Sequence, residues 1–155
     1  VVIMGPESTG KTTICQKLAK FYNTLWVPEY GREYSKQKLI DKQNIIYQWT
    51  SQDFLKIAIE QNNREDSMSR DCNKILFCDT NALATYVWHL RYLDFENEFI
   101  YHYVKNPNLI FLMKPDENTP FVQDGTRDGE KIRNKMFYDF VKILNKFNFK
   151  YHIIE

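Results

Sequence analysis

The chain begins with a loop whose residue types are suited to holding phosphate. Gly5, Gly10, Lys11 and Thr12 follow the Walker A spacing Gly-x-x-x-x-Gly-Lys-Thr. The glycines permit positive φ and let backbone N–H groups converge on phosphate oxygens, and a helix that follows directs its positive end at the same anion. We predict that Lys11 neutralises the β and γ phosphates and that Thr12 binds Mg²⁺. The residues predicted to bind ATP are Gly5, Glu7, Ser8, Thr9, Gly10, Lys11, Thr12 and Thr13.

A single carboxylate follows the apolar run Ile75–Cys78. Asp79 at the end of a buried strand is typical of a Walker B element, which holds Mg²⁺ or contacts an acceptor hydroxyl. The structural alternative is that Asp79 caps the helix predicted from Asn81 onward. We favour the metal and catalytic role because parallel strands bring Asp79 close to the phosphate loop.

Charged residues also follow the predicted strand Leu25–Val27. A carboxylate at Glu29 can orient the proton of a hydroxyl that attacks the γ-phosphate. Arg32 can hold a sugar hydroxyl or pair with Glu29. The alternative is an exposed ion-pair patch with little energetic value.

A stretch rich in Pro, Asp, Asn and Gly runs from Lys114 to Glu130 and is predicted to be a long loop or lid, at roughly 114–133. Arg127 lies within it and Arg133 follows it. Because a guanidinium matches phosphate oxygens and a lid excludes water, both arginines are candidate catalytic groups.

Aromatic residues make up 15% of the chain. Most of them must lie in the core. Trp88, on the helix after Asp79, is a candidate wall for a flat acceptor ring, and Trp26 is another.

The elements that would position these residues alternate between strands and helices. We predict five short strands and six helical segments, and therefore a three-layer α/β domain with a five-stranded, mostly parallel sheet of the P-loop type. The predicted strands are Val1–Met4, Leu25–Val27, Ile75–Cys78, Leu109–Met113 and Tyr151–Ile154; the predicted helices are Lys11–Tyr22, Glu29–Leu39, Ser51–Asp71 with Ser51 as N-cap, Asn81–Tyr92, Asn97–Tyr103 and Ile132–Phe147. In such sheets, ligands bind at the carboxyl ends of the strands. Four segments of this chain follow strand ends and carry candidate residues: Gly5–Thr13, Pro28–Arg32, Asp79–Thr80 and Lys114–Arg127.

Composition narrows the possible functions. A formal net charge of +1 over 155 residues gives no general attraction to nucleic acid or to an anionic membrane. The three cysteines and three histidines have no metal-site spacing, and we expect the cysteines to be reduced thiols, as in the cytoplasm. No Asn-Lys pair is followed two residues later by the Asp that a GTPase uses to select guanine. A small-molecule kinase is the economical interpretation.

The motifs "GPESTGKTT", "VPEYGREY", "FCDTNALAT" and "FVQDGTR", in this order, resemble the ribosylnicotinamide kinase domain of the NadR family. The resemblance implies transfer of the ATP γ-phosphate to the 5′-hydroxyl of nicotinamide riboside, which gives nicotinamide mononucleotide. It also implies frequent fusion to an adenylyltransferase domain. We expect residues 1–155 to form one kinase domain that lacks a C-terminal helix or such a fused partner.

The resemblance extends to individual residues. It implies that the acceptor is bound by Glu29, Tyr30, Arg32, Gln61, Asp79, Trp88 and Asp124, and that Lys11, Glu29, Asp79, Arg127 and Arg133 act in catalysis. Two positions depart from the family pattern: Asn81 replaces an Asp, and Pro28 replaces an aromatic residue. Kinase chemistry is compatible with both, but the choice of acceptor base between Glu29 and Asp79 stays open. The alternatives are a kinase for another nucleoside or vitamin-like alcohol, and a nucleotide-sensing regulatory module without turnover.

Overall fold

The computed structural model describes residues 1–41, 48–116, 119–122 and 130–155, and its central feature is a parallel sheet. The five strands are β1 (Val2–Met4), β2 (Trp26–Val27), β3 (Phe77–Asp79), β4 (Ile110–Met113) and β5 (His152–Ile154). Their order is β2-β3-β1-β4-β5, and every neighbouring pair is parallel. The prediction of a mostly parallel five-stranded sheet is confirmed.

Helices connect the strands, as the alternating pattern predicts. They are α1 (Lys11–Phe21), α2 (Tyr30–Asp41), α3 (Ser51–Ser69), α4 (Ala82–Leu93), α5 (Glu98–His102) and α6 (Arg133–Lys146), the last of which follows a short 3₁₀ helix (Glu130–Ile132). The ends of the predicted elements differ from these bounds by only a few residues. No helix among the described residues has the length and apolar character needed to cross a bilayer.

The sheet separates two apolar clusters. On the side of α1, Ile3 packs with Cys15 and Ala19, and Trp26 covers this cluster. On the other side, Val2 and Met4 pack with side chains from α3, α4 and α6. Because successive residues of a strand face opposite sides, the continuous apolar run of β1 serves both clusters at once.

The start of α3 differs from the prediction. Its N-cap is Thr50 and not Ser51, and Asp53 completes a capping box by accepting the backbone N–H of Thr50. Ser51 instead places its hydroxyl 2.9 Å from Nε2 of the buried His89. Leu55 and Ile59, which with Phe54 and Ala58 have the helical spacing expected of a buried stripe, are only half-buried.

The buried face of α3 is more polar than its apolar pattern indicates. It includes Asp53, Gln61 and Asn62 beside Phe54, Ile57 and Ala58. The polar members connect α3 to neighbouring segments: Asp53 accepts the hydroxyl of Tyr34, and Asn62 donates to the carbonyl of Tyr103 at 2.7 Å. This helix therefore positions α2 through hydrogen bonds as well as through apolar packing.

Gly5 is the position where the backbone geometry requires glycine most strongly. Its φ is +138°, and a Cβ built on it would lie 2.6 Å from the carbonyl oxygen of Met113 in β4. Gly10 also has a positive φ, +81°, but a Cβ there would meet nothing within 4 Å. The two Walker A glycines are thus required for different reasons: one for close approach of two strands, the other for backbone conformation.

This difference gives a prediction about stability. We expect Gly5→Ala to lower the free energy of unfolding by about 2–6 kcal/mol, from backbone strain and overpacking together. Gly10→Ala is the matched control and should cost only about 1–2 kcal/mol, from the left-handed backbone alone. Urea unfolding of the two variants measures this, and equal losses would contradict the steric explanation.

Candidate functional site

The phosphate loop lies between β1 and α1 and leads directly into the first turn of the helix. Gly10 is the N-cap of α1 and provides no side-chain hydrogen bond. The first backbone N–H groups of a helix have no partner within the helix, and here they face the loop that the Walker A pattern marks. The local structure therefore suits an anion.

Lys11 is buried within this loop, although it is a lysine. Only 6% of its surface is exposed, and its Nζ donates to the carbonyl oxygen of Pro6 at 2.6 Å. Burial lowers the pKa of Lys11, and the nearby carboxylates of Glu29 and Asp79 oppose this decrease. The ammonium group is thus held at the loop by one carbonyl and two neighbouring negative charges.

Asp79 and Thr12 meet across the end of the central strands. Ile3 of β1 pairs in register with Asp79 of β3, which brings the carboxylate beside α1, and the Thr12 hydroxyl donates to its Oδ2 at 2.5 Å. Asp79 is 1% exposed, and burial and the charge of Glu29 raise its pKa, while Lys11 opposes this increase.

The second oxygen of this carboxylate indicates what the pair could hold. Oδ1 of Asp79 is buried and has no hydrogen-bond partner within the described part of the chain. A hydroxyl oxygen beside a carboxylate oxygen is a donor set that Mg²⁺ prefers. The residues present therefore fit the metal that the sequence predicts. No group of three or more His, Cys, Asp or Glu side chains suited to a metal occurs among the described residues.

The alternative role of Asp79 as a helix cap is wrong. Asn81 is the N-cap of α4, and its Oδ1 accepts the backbone N–H groups of Leu83 and Ala84. Asp79 is therefore not committed to the helix. Asn81, which stands where the resembling family often has Asp, therefore caps α4 with an uncharged amide oxygen inside a buried site.

A pocket opens beside the phosphate loop. It is lined by six of the residues predicted from the sequence: Glu7, Lys11, Glu29, Arg32, Gln61 and Trp88. An open cleft that combines charged, amide and aromatic side chains suits a small organic molecule.

Glu29 and Arg32 lie together on one wall of this pocket. Nη2 of Arg32 is 3.2 Å from Oε2 of Glu29, and both side chains are partly exposed. Of the two roles considered for Arg32, pairing with Glu29 is the one seen in this structure. Glu33, the third charged residue of the segment, turns outward and pairs with Arg64 at 2.8 Å.

Tyr30 and Gln61 are connected to one another. The backbone N–H of Tyr30 donates to Oε1 of Gln61 at 2.9 Å. The Tyr30 ring is not among the pocket-lining side chains described; it packs against Tyr34 and beneath the guanidinium of Arg64. Gln61 lines the pocket but is 1% exposed.

Aromatic rings form the far wall of the pocket. Trp88 and Tyr92 are stacked at 6.3 Å between centroids, and Trp49 lies 5.5 Å from Tyr92. All three line the pocket. The alternative candidate, Trp26, packs on the α1 side of the sheet, so the suggestion that it forms this wall is wrong.

Arg133 connects the phosphate loop to the start of the predicted lid. Its Nη1 donates to the carbonyl oxygen of Thr119, and its Nη2 donates to that of Ser8, both at 3.1 Å. Arg133 thus binds backbone carbonyls in this structure. Asp124 and Arg127, the other candidates from this segment, lie outside the described residues.

Several pocket residues were missed by reasoning from the sequence. They are Gly31, Ser35, Trp49, Phe54, Ile57, Thr80, Thr85 and Tyr92. Two of them, Thr85 and Tyr92, lie on α4, so the helical periodicity after Asp79 was a usable signal for them. Thr80 directly follows Asp79 at the end of β3. Trp49 had none, because its place depends on how α2 and α3 pack.

A parallel sheet of this order, with a Walker A loop after its central strand, defines the class of P-loop proteins with the fold of small-molecule kinases. The model of the AAA domain family AAA_28 matches residues 1–155. The chain belongs to this family.

Individual proteins are similar to the chain in sequence or in structure. The trifunctional NAD biosynthesis/regulator protein NadR of Salmonella typhimurium strain LT2 is 31% identical over 159 residues, which cover 100% of this chain and 38% of NadR. A crystal structure of NadR in complex with NR has a TM-score of 0.78 and 25% identity, and covers 99% of this chain and 45% of that chain. Deoxyadenosine kinase of M. mycoides has a TM-score of 0.61 at 12% identity, over 99% of this chain and 88% of that one, and shares the fold. The chain spans less than half of the NadR chains that it matches.

The carboxylate of Glu65, next to Gln61, leads to a prediction about how the stability of the fold depends on pH. Nε2 of Gln61 donates to Oε1 of Glu65 at 3.4 Å. Burial raises the pKa of Glu65 from 4.5 to about 7, while Lys105 and the Gln61 amide oppose this increase. Because the pKa is higher in the folded chain, Glu65 stabilises the fold fully below pH 4.5, and this contribution is lost as the pH rises to about 7.

Glu65→Gln should remove this dependence. We expect the free energy of unfolding of the wild type to fall relative to the variant between pH 5 and about 7, and to run parallel to it above that. Glu60→Gln is the control, since it removes a carboxylate of the same helix that is paired with Arg64. Urea unfolding at a series of pH values measures the difference, and parallel curves throughout would contradict the prediction.

Proposed function

We propose that this chain is an ATP-dependent kinase domain that phosphorylates the 5′-hydroxyl of nicotinamide riboside. The observation that carries the proposal is that Lys11 of the phosphate loop and Glu29 line the same pocket, so that phosphate donor and acceptor would meet there. The likeness to NadR, whose structure was solved with NR, supports the choice of acceptor.

The donor side would be held by the loop and its lysine. The backbone N–H groups at the start of α1 and the Lys11 ammonium would bind the phosphates of ATP. Thr12 and Asp79 would hold Mg²⁺, which neutralises charge on the phosphates when bound. Arg133 and, beyond the described residues, Arg127 are proposed to complete the binding of the transferred phosphate.

In the reaction, the acceptor hydroxyl oxygen forms a bond to the γ-phosphorus as the bond between that phosphorus and the ADP oxygen breaks. The hydroxyl proton must go to a base. Glu29 is the better candidate because its carboxylate lines the pocket, whereas Asp79 is buried behind the Thr12 hydroxyl. Asp79 would then act through Mg²⁺.

The acceptor would be oriented by the other walls. Arg32 beside Glu29 would hold the ribose, and the aromatic wall of Trp49, Trp88 and Tyr92 would pack against the flat ring. Tyr30 contributes through its backbone, and Asp124 stays a predicted contact. The association with an adenylyltransferase domain, the single-domain organisation and the cytoplasmic location also remain predictions.

An acceptor screen tests this function. Wild-type protein with ATP and Mg²⁺ is expected to release ADP with nicotinamide riboside, and mass spectrometry should find nicotinamide mononucleotide. Turnover only with another nucleoside or a vitamin-like alcohol would favour the first alternative. Tight binding of ATP with no ADP from any acceptor would favour a regulatory module.

Lys11→Ala tests the role of the phosphate loop. Removing a charged donor from a transition state typically costs at least ~100-fold in turnover, and we expect a loss of that order. Lys17→Ala, an exposed lysine on the same helix, is the matched control and should keep wild-type turnover. Unchanged turnover in Lys11→Ala would be decisive evidence against the mechanism.

A further inference from the structure

Gln61 is a polar side chain in the pocket wall that already hydrogen-bonds on both sides of its amide. It lies on α3 and is 1% exposed. Its carbonyl oxygen accepts the backbone N–H of Tyr30 at 2.9 Å, and its amide nitrogen donates to Glu65. Both bonds are to the protein, and the side chain presents almost no surface to the pocket.

The hydrogen bond to Gln61 satisfies a backbone N–H group at the start of a helix. Tyr30 is the first residue of α2, and the first N–H groups of a helix have no partner within the helix. Gln61 supplies that partner from another helix. The residue directly before Tyr30 is Glu29, so the bond fixes the backbone next to the carboxylate in the pocket.

Packing at the next residue supports the same arrangement. A Cβ built on Gly31 would lie 3.5 Å from a methyl carbon of Ile57 on α3. One turn further along α2, the Tyr34 hydroxyl donates to the buried Asp53 at 2.6 Å. The start of α2 therefore lies directly on α3, and of the hydrogen bonds described between these two helices, the one from Tyr30 to Gln61 lies nearest to Glu29 in the sequence.

We propose that Gln61 is a positioning residue, which holds the Tyr30 amide so that the Glu29 carboxylate faces the acceptor hydroxyl. The inference rests on the proposed function, because it assigns to Glu29 the role of base or orienting group. It replaces the prediction that Gln61 binds the acceptor directly.

Three variants test this role. Gln61→Met keeps the length of the side chain and removes both hydrogen bonds. Gln61→Glu keeps an oxygen that can accept the Tyr30 N–H. Asn62→Leu is the matched control: Asn62 is the adjacent buried amide on α3, 7% exposed, and it binds the carbonyl of Tyr103 on a different segment.

The measurements are kcat and KM with nicotinamide riboside, together with amide hydrogen exchange at Tyr30 by NMR. We expect Gln61→Met to lower kcat about 10- to 100-fold, as displacement of a catalytic group does, with KM for the acceptor unchanged and faster exchange at Tyr30. Gln61→Glu should recover part of kcat and of the protection, because it restores the acceptor for the Tyr30 N–H but places a carboxylate beside Glu65. Asn62→Leu should change neither, although it also removes a buried hydrogen bond.

Other outcomes would overturn the inference in distinguishable ways. A raised KM with unchanged kcat in Gln61→Met would mean that Gln61 contacts the acceptor. Unchanged exchange at Tyr30 in that variant would show that the bond does not hold the turn. A wild-type protein inactive with every acceptor would overturn the proposed function and the catalytic part of this inference, while the exchange rates would still decide whether Gln61 holds Tyr30.

Discussion

The site depends on a balance of buried charge around Lys11. Lys11 is only 6% exposed, and burying a charged ammonium group costs free energy unless negative groups lie near it. Here Asp79 and Glu29 provide them, and each comes from the end of a different strand or from the turn after it. The parallel pairing of β1 with β3 is what brings Asp79 to this place. Burial and the charge of Glu29 raise the pKa of Asp79, and Lys11 opposes this increase, so that the cation and the carboxylate each offset part of the other's desolvation.

Much of the donor side was predictable from the sequence because its signals are local. The Walker A spacing, the apolar run before it and the single Asp after the third strand are each contained within a few residues. The order of the elements then follows from strand and helix alternation, and the right-handed crossovers of parallel sheets bring the strand ends together. For that reason Thr12 and Asp79, which were predicted from two separate motifs, lie within hydrogen-bond distance in the structure.

The acceptor side was less predictable because its contacts are between helices. Trp49 precedes α3, and nothing in its neighbourhood indicates that it meets Tyr92 of α4. Gln61 has helical spacing appropriate to a core position, but its bond to a backbone N–H thirty-one residues earlier depends on the packing of α2 on α3. The predicted N-cap of α3 was wrong by one residue, because Thr and Ser are both favourable at that position. Only the capping box, in which the Asp53 side chain accepts the backbone N–H of Thr50, distinguishes Thr50 from Ser51.

The short edge strand β2 has a further consequence. With only two residues, Trp26 and Val27, it contributes few ladder bonds, so the segment that carries Glu29 and Arg32 depends on α3 for its place more than on the sheet. The phosphate loop, in contrast, follows a central strand paired on both sides. Substitutions on the contact between α2 and α3 can therefore shift Glu29 and Arg32 while the phosphate loop keeps its place in the sheet.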